Sequence, residues 1–337
     1  MRQATTPRAA PAPVRLTALL TGLLTGLLTG LLTGLLTGLA LMLGTVACGQ
    51  STPARPPPTP APGTASAGPV PAGPLPRPDH VVVVVLENHG PEQVLGTGKA
   101  PYLDHLAATG ADLTGATAIT HPSQPNYLAL FSGDSQGVTD DSCPQTFDAP
   151  NLAGQLTGSG RSFAGYAEDL PDPGFTGCQS GGYVRWHTPW VDFGAVPSTA
   201  NRPFSAFGAA GQDFAALPTG SDFAALPTVS FVIPNMCHNM HDCDVSTGDA
   251  WLRANLDGFV QWAATHNSLL VVTFDEAENG APGNRIPLLL AGPMVRPGGY
   301  PEPVDHYRTL RTLQALYGLP PLGHSGSTPP LTDVWRS

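Results

Sequence analysis

Two apolar runs, at residues 81–86 and 269–274, constrain the fold of this chain more than any other feature, and Thr273 is the one polar residue in them. Successive side chains of a strand point to opposite faces of its sheet, so a run this poor in polar residues indicates a strand buried on both faces. Acidic residues follow each run directly: Glu87 follows the first, and Asp275 and Glu276 follow the second. Because sites in parallel sheets form beyond the carboxyl ends of strands, these three side chains are candidates for one site.

The rest of the chain alternates between predicted strands and predicted helices. The strands are predicted at residues 80–86, 162–167, 228–233, 269–274 and 286–291. The helices are predicted at residues 101–108, 124–131, 151–157, 249–266 and 305–317. This alternation indicates an α/β fold with a mainly parallel central sheet and helices on both faces.

The start of the chain has the composition of an export signal rather than of a domain. Residues 1–15 carry three arginines and no acid, and residues 16–47 carry no charge. Small residues then precede Cys48. This order predicts a lipoprotein-type signal peptide over residues 1–47, with Cys48 lipidated after cleavage. An uncleaved signal anchor is the alternative, because the apolar stretch is long enough to span a bilayer.

A proline-rich segment follows the predicted signal. Residues 51–78 contain 11 prolines among small and polar residues, and such a composition cannot bury a core. We therefore predict a tether over residues 48–78 and one folded domain over residues 79–337. The expected location is the cell envelope, with the membrane as a partner through the lipid on Cys48, or the medium if the protein is secreted.

The charge of the chain excludes one class of partner. The net charge is −10, and Lys99 is the single lysine. A protein that binds nucleic acid would carry a basic patch, and the sequence contains none, so nucleic acid is not expected as a partner.

Four cysteines follow Cys48, and an even number in an exported protein indicates two disulfides. Three pairings are possible, and proximity in sequence favours Cys143–Cys178 and Cys237–Cys243. Two alternatives stay open. The thiols could be free and buried, or cysteines and histidines at 237–243 could bind zinc, although that segment lacks Cys-x-x-Cys spacing.

A hydroxyl lies between the two acidic strand ends, in the segment His-Pro-Ser-Gln-Pro-Asn-Tyr at 121–127. Ser123 precedes an apolar run and is predicted at a helix start, where a serine is commonly the N-cap. A helix start is also an anion site, because its free amides face outward. Ser123 is therefore the candidate nucleophile for a phosphoryl group, with Asn126 donating to the phosphoryl oxygens. Ser132 and Ser135 are weaker candidates, since they lie deeper in the helix or beyond it.

The acidic strand ends suit a divalent metal ion. An unpaired carboxylate after a buried strand is costly, so Glu87 is a candidate metal ligand, and Asn88 can contact the metal or a phosphoryl oxygen. Asp275 and Glu276 complete the predicted ligand set, on condition that the chain turns there. The alternatives are an acid that caps the next helix and an exposed acidic turn. The sequence determines neither the identity nor the number of the metal ions.

Histidines supply the remaining candidates, because near a phosphate site a histidine can bind oxygens, bind metal or protonate a leaving group. His187 lies in an aromatic segment, and His238 and His241 follow the predicted strand at 228–233. We predict catalytic roles for His187 and His241, with a structural role as the alternative for each. His306 begins the last predicted helix, where packing explains a histidine as well as a site role does.

Taken together, these segments resemble the phosphoesterase family of bacteria and fungi that includes acid phosphatases and phospholipases C. The matching segments run in order through the predicted domain: Glu87-Asn88-His89, 121–127, Ser132-Gly133, 183–193, 234–242, 248–252, 274–276 and 305–310. That family is similar in turn to the alkaline-phosphatase-like superfamily, some of whose members place a threonine nucleophile before x-Pro-Asn. Ser123 occupies the matching position in this sequence.

The resemblance implies that Ser123 is the nucleophile. It places four residues on the metal side: Glu87, Asn88, Asp275 and Glu276. It places His187 and His241 against the phosphoryl group, and the predicted phosphate-binding set is Asn88, His121 and Asn126. Tyr127 stands where sulfatases need arginine, which argues against sulfatase chemistry. An Asp-Glu pair replaces the Asp-His pair of two-zinc members, so one metal is as consistent as two.

The expected function is metal-dependent hydrolysis of phosphate esters through a phosphoserine, as in an acid phosphatase. The sequence lacks the extra C-terminal domains of many large phospholipases C, which favours small phosphomonoesters as substrates. A phosphodiesterase or phospholipase C-like enzyme is one alternative. A non-catalytic lipoprotein that binds phosphate ligands is the other.

Overall fold

The computed structural model describes residues 75–207 and 223–336. The predicted signal peptide at 1–47, the lipidation site at Cys48 and most of the tether lie outside these residues. Within the described part, no helix is both long and apolar enough to cross a membrane.

The strands of the described residues are β1 (His80–Leu86), β2 (Ala111–Asp112), β3 (Phe163–Ala167), β4 (Gln179–Ser180), β5 (Tyr183–Val184), β6 (Asn201–Pro203), β7 (Val229–Ile233), β8 (Ser268–Phe274), β9 (Leu288–Ala291) and β10 (Gly298–Gly299). Eight of them form the central sheet, in the order β10-β2-β9-β8-β1-β7-β3-β6. The five neighbours β8, β1, β7, β3 and β6 run parallel. β9 runs antiparallel to both β8 and β2, and β4 and β5 form a separate small hairpin. The prediction of a mainly parallel sheet is confirmed.

Six helices accompany the sheet in the described part of the chain: α1 (Pro91–Val94), α2 (Pro101–Thr109), α3 (Ser123–Ser132), α4 (Leu152–Gly158), α5 (Val245–Ala263) and α6 (His306–Leu316). Four of them, α2, α3, α4 and α6, match predicted helices closely, and the short α1 was not predicted. The predicted fifth helix is α5, which begins four residues before its predicted start at Asp249. The Asp249 carboxylate instead accepts hydrogen bonds from the backbone amides of Tyr102 (3.0 Å) and Leu103 (2.9 Å), so it caps α2.

The central strand β1 shows why the apolar runs predicted the architecture. Its residues 81–86 are between 0 and 1% exposed, although alternate side chains point to opposite faces, so both faces of the sheet are covered. β1 pairs with β8 in the register that puts Leu86 beside Phe274. This register brings Glu87 and Asp275 side by side beyond the carboxyl edge of the sheet.

Candidate active site

Three carboxylates are buried at the carboxyl edge of β1 and β8. Glu87, Asp275 and Glu276 are 0, 1 and 2% exposed. The backbone amide of Asn88 donates to Asp275 Oδ1 (3.1 Å), and the Asn88 side-chain amide donates to Glu87 Oε2 (3.3 Å). Asn88 has a left-handed backbone (φ 58°), which turns the chain sharply after the strand. All four predicted metal-side residues are therefore brought together at this edge of the sheet.

Ser123 is the first residue of α3 and is 5% exposed. Pro122 is the N-cap of this helix, so the alternative that the Ser123 side chain caps it does not hold. The Ser123 hydroxyl instead donates to Glu87 Oε2 at 3.0 Å. α3 thus carries the Ser123 hydroxyl to Glu87, which lies 36 residues before it in sequence.

The second oxygen of Glu87 is held from the other side. The Tyr127 hydroxyl donates to Glu87 Oε1, and His187 Nε2 lies 3.2 Å from the same oxygen. The rings of Tyr127 and His187 stack with centroids 4.9 Å apart. Glu87 is therefore fixed at both oxygens, with Ser123 on one and the Tyr127–His187 pair on the other. Sequence reasoning did not assign Tyr127 to the site, although its position four residues after Ser123 puts both on one helix face.

His187 lies inside the protein rather than at an open surface. It is 1% exposed, and burial lowers its pKa to about 3, with a smaller contribution from the charge of His241. A neutral imidazole can donate Nε2–H to Glu87, but it holds no spare proton for a leaving group. This geometry makes His187 a residue that positions Glu87.

The carboxylates lack compensating positive charge. Burial raises the pKa of Glu87, and the neighbouring charge of Asp275 raises it further. Burial raises the pKa of Asp275 to about 6, against a smaller opposing effect of the Ser123 hydroxyl, and raises that of Glu276 to about 9. In the part of the chain that the structure describes, no Lys or Arg forms an ion pair with any of the three. Asp275 Oδ2 has no hydrogen-bond partner among those residues.

The oxygen atoms of the three buried carboxylates are the candidate ligands of the predicted metal ion. Buried carboxylate oxygens without a cation are the ligands that hard divalent ions prefer. Among the described side chains, however, no group of three or more His, Cys, Asp or Glu residues is already arranged around one metal position. The residues therefore fit a metal held by the Glu87–Asp275 pair rather than by a preformed cage.

Asn126 and His121 surround Glu276 instead of pointing to a free anion position. The Asn126 side-chain amide donates to the carbonyls of Thr120 (2.9 Å) and Pro122 (3.1 Å) and to Glu276 Oε2 (3.3 Å). His121 Nδ1 lies 2.9 Å from the same Glu276 oxygen. Because its donors are occupied, Asn126 shapes the segment before Ser123 and has no free N–H for the predicted phosphoryl contact.

The loop after β7 carries His241 to the rim of the site. A disulfide between Cys237 and Cys243 closes this loop, as predicted, which rules out the alternative zinc site there. The Glu87 backbone amide donates to the carbonyl of Asn239 (2.8 Å), so the loop runs beside the first strand end. The His241 side chain is 38% exposed, and its Nδ1 lies 2.7 Å from Asp242 Oδ1. His241 is therefore open to a substrate.

A glycine in α5 lets that helix approach the same loop. A Cβ atom at Gly248 would lie 2.7 Å from the carbonyl oxygen of His238, closer than side chains tolerate. His238 itself turns away from the site, since its Nδ1 lies 2.9 Å from Glu168 and its ring stacks on Trp251. The histidine at 238 is thus structural, while the one at 241 borders the site.

Two further contacts were not found from sequence. Asp141 Oδ1 accepts a hydrogen bond from the backbone amide of Gln124 (2.8 Å), directly after Ser123. The predicted disulfide Cys143–Cys178 is confirmed two residues beyond Asp141. His306 Nε2 lies 2.6 Å from the backbone carbonyl of Asp275 and so supports the second strand end. The hydrogen bond to Asp141 and the one to His306 join residues 17 and 31 positions apart, and the local pattern carries no signal for either.

Replacing Tyr127 by phenylalanine should lower kcat/KM for an aryl phosphate about 10- to 100-fold, because Glu87 loses a donor that fixes it against Ser123. Steady-state kinetics on p-nitrophenyl phosphate would measure this. Tyr183→Phe is the matched control, since the Tyr183 hydroxyl contacts Thr188 (3.0 Å) and not Glu87. Equal losses in the two variants would contradict the assigned role.

Removing the Cys237–Cys243 disulfide should affect activity more than stability. The two cysteines are only 6 residues apart, so from chain entropy the free energy of unfolding should fall by about 2 kcal/mol when this disulfide is removed. Cys143 and Cys178 are 35 residues apart, and removing their disulfide should lower the free energy of unfolding by about 4 kcal/mol. Kinetics and thermal unfolding of the two double serine variants would test this. We expect the larger fall in kcat for the shorter loop, because it holds His241. The reverse order would contradict the prediction.

The sequence was compared with known proteins. A model of the Phosphoesterase family matches residues 97–320. The chain is 48% identical over 257 residues to the phosphatidylinositol-3-phosphatase of Mycobacterium tuberculosis, covering 76% of this chain and 82% of that protein. It is 31% identical over 237 residues to the phosphate-repressible acid phosphatase of Penicillium chrysogenum, covering 66% of this chain and 55% of that protein. The chain therefore spans about half the length of this fungal relative.

Solved structures show the same fold at low identity. A protein of the alkaline phosphatase superfamily from Vibrio parahaemolyticus has a TM-score of 0.53 at 14% identity, covering 77% of this chain and 73% of its own. A lipoteichoic acid synthase from Listeria monocytogenes has a TM-score of 0.53 at 13% identity, covering 74% of each chain. The predicted alkaline-phosphatase-like fold is confirmed.

Proposed function

Because this chain belongs to the Phosphoesterase family and is a hydrolase of phosphoric esters, we propose that it is a phosphomonoesterase with Ser123 as its nucleophile. One observation carries the proposal: the Ser123 hydroxyl donates to a buried carboxylate, Glu87, that is fixed at both oxygens. A serine that only packs in a helix start would have no reason to donate its hydroxyl to a buried carboxylate that no Lys or Arg of the described residues pairs with.

In the proposed reaction Glu87 orients the Ser123 oxygen for in-line attack on phosphorus. The bond from Ser123 to phosphorus forms as the bond from phosphorus to the leaving alcohol breaks, and the serine proton leaves along its hydrogen bond to Glu87. His241 supplies a proton to the departing alkoxide, because it is the exposed histidine of the predicted pair. Water then attacks the phosphoserine and passes a proton to His241, the bond from Ser123 to phosphorus breaks, and the serine oxygen takes back the proton from Glu87, which releases phosphate.

A divalent metal ion is part of the proposal. Glu87 and Asp275 would hold it, with Asn88 and Glu276 beside them, and the unpartnered Asp275 Oδ2 supports that assignment. When bound, such an ion would lower the pKa of the Ser123 hydroxyl and offset the negative charge of the carboxylates. The oxygen-rich donor set favours a hard ion such as Mg²⁺ or Ca²⁺ over zinc.

The names of the relatives support a monoester substrate. The mycobacterial relative is called a phosphatidylinositol-3-phosphatase and the fungal relative an acid phosphatase, and both names denote removal of a phosphate monoester. We therefore place monoesters first and the predicted phosphodiesterase second.

The proposed location is outside the cytoplasm, at the cell envelope. Two disulfides within the folded part support export, since disulfides persist in oxidising compartments. Anchoring through a lipid on Cys48 is the proposed attachment, as the composition of residues 1–47 predicts. Mass spectrometry of the purified mature protein would test it through the mass of its first residue.

Parallel assays of p-nitrophenyl phosphate and bis-p-nitrophenyl phosphate test the proposed activity. The full-length chain in mild detergent would be assayed from acidic to mildly basic pH, with chelator and with single divalent metals. We expect metal-dependent release from the monoester and, after acid quenching, phosphate on Ser123 by peptide mass spectrometry. Preferential cleavage of the diester would replace the monoesterase proposal, and turnover without a phosphoserine would remove Ser123 from its role.

A further inference from the structure

Glu168 directly follows β3 and joins that strand to two other segments of the fold. Trp251 of α5 donates its Nε1–H to Glu168 Oε1 (2.9 Å). The backbone amide of Asn235, just after β7, donates to Glu168 Oε2 (3.0 Å). His238 Nδ1 lies 2.9 Å from each of the two oxygens. One half-buried carboxylate thus holds α5 and the loop after β7 together, and the reaction proposed above gives it no role.

Hydrogen bonds within the loop at residues 234–243 extend from this point of attachment. Asn235 Oδ1 accepts from the backbone amides of Cys237 (3.1 Å) and His238 (2.9 Å). The Asn235 carbonyl accepts from the backbone amide of Asn239 (2.8 Å). The position of Asn235 therefore determines the position of Asn239.

Asn239 connects the loop to the candidate active site, and it is fully buried. Its carbonyl accepts from the backbone amide of Glu87 (2.8 Å), and its Oδ1 accepts from the backbone amide of His241 (2.9 Å). In the proposed reaction Glu87 orients Ser123 and His241 supplies a proton. Asn239 therefore fixes the backbone of the proton donor relative to the residue that orients the nucleophile.

The imidazole of His241 depends on this backbone for its position. The side chain is exposed, and its Nδ1 lies 2.7 Å from Asp242, the next residue in sequence. The loop, rather than packing in the core, thus determines where the ring lies. A general acid must come within hydrogen-bond reach of the oxygen that it protonates, and a small misplacement in an active site can cost much of the rate.

We propose that Glu168 is a positioning residue for the hydrolysis of phosphate esters. It holds the loop at 234–243 so that the imidazole of His241 reaches the oxygen of the leaving group. The proposal rests on the proposed function, which assigns proton donation to His241. Glu168 does not touch the substrate in this role and acts through the backbone of the loop. Its loss should therefore impair protonation of the leaving group more than attack by Ser123.

Two aryl monoesters of similar size separate protonation of the leaving group from the other steps. The p-nitrophenolate ion leaves readily without a proton, whereas phenolate is a much stronger base and needs one. The quantity measured, on the full-length chain in mild detergent, is the ratio of kcat/KM for phenyl phosphate to kcat/KM for p-nitrophenyl phosphate. We expect this ratio to fall about tenfold in Glu168→Gln, because the proton donor is displaced. A loss of folded protein alone would lower both values equally and leave the ratio unchanged.

Three further variants place this effect on the pathway through His241. His241→Gln removes the proton donor itself and should lower the ratio at least as much as Glu168→Gln does. The double variant Glu168→Gln, His241→Gln should have the same ratio as His241→Gln, because both substitutions impair one step. His238→Phe covers the case in which Glu168→Gln does not fold. Its ring can still stack on Trp251 but cannot contact Glu168, so the ratio should fall here too.

Glu302→Gln is the matched control. Glu302 is also a half-buried carboxylate that binds a side chain of a helix, since it pairs with Arg308 of α6, but it does not contact the loop at 234–243. This variant should have a lower Tm and an unchanged ratio.

The possible failures are distinguishable. A lowered ratio in His241→Gln with an unchanged ratio in Glu168→Gln and His238→Phe overturns the role of Glu168 and leaves the proposed function intact. Additive losses in the double variant also overturn it, because Glu168 would then act elsewhere. An unchanged ratio in His241→Gln removes the proton donor from the proposed function, and the role of Glu168 with it.

Discussion

Ser123→Ala is expected to lower kcat/KM for p-nitrophenyl phosphate by about a thousandfold or more, because the variant retains the carboxylates but lacks the attacking oxygen. The protein should remain folded. The Ser123 hydroxyl donates to Glu87, and that carboxylate keeps Asn88, Tyr127 and His187 around it when the hydroxyl is removed. Steady-state kinetics with thermal unfolding in parallel would check both parts of the expectation.

Ser132→Ala is the matched control for this variant. Ser132 lies on the same helix and is also buried, but its hydroxyl donates to the carbonyls of Leu128 (2.8 Å) and Asp134 (2.9 Å), away from Glu87. The Ser132→Ala variant should have a lower Tm than the unaltered protein and nearly the same kcat/KM. Comparable losses of kcat/KM in the two variants would show that α3 tolerates no substitution at either serine. Retained turnover in Ser123→Ala would contradict the assignment of Ser123 as the nucleophile.

Asp275→Asn is expected to have opposite effects on activity and on metal-free stability. Activity should fall about a hundredfold or more, since a proposed metal ligand is lost next to the nucleophile. Stability in the presence of chelator should rise, because the substitution removes a charge that burial disfavours. The Asn side chain can still accept the hydrogen bond that Asn88 now donates to Asp275.

The sign of the pH dependence follows from the raised pKa. Burial raises the pKa of Asp275 from 3.8 to about 6, so the folded protein binds the proton more tightly than the unfolded chain. The free energy of unfolding therefore falls as pH rises from about 4 to above 6, by about 3 kcal/mol for this group. Asp275→Asn should remove this slope and raise the metal-free Tm at neutral pH by roughly 6 to 12 °C.

Thermal unfolding across pH, with chelator and with each divalent metal, would measure the effect. The control is Asp172→Asn, an exposed aspartate, which should leave the slope unchanged. Added metal should stabilise the unaltered protein and not the Asp275 variant, because binding to the folded state alone adds to its stability. A lower Tm for Asp275→Asn in chelator would contradict the view that these carboxylates lack compensation.

Local pattern was sufficient for the elements that depend on nearby residues. The apolar run at 81–86 predicted β1, since only burial on both faces excludes polar residues at every position. The two disulfides followed from proximity in sequence. The start of α5 was misplaced because Asp249, a residue typical of helix starts, is bound by the amides of a helix far away in sequence.

The sequence by itself determined which chemical groups are available: strands that end in acids, a serine at a helix start, and histidines after strands. The tertiary structure decided how they are used. It directed the Ser123 hydroxyl to Glu87, put Tyr127 and His187 behind that carboxylate, and left His241 exposed. The physical reason is that each of these contacts joins segments separated by tens of residues. Local spacing cannot encode such contacts. The pairing of β1 with β8 places Glu87 beside Asp275, and α3 and the segment of His187 then meet Glu87 at that edge of the sheet.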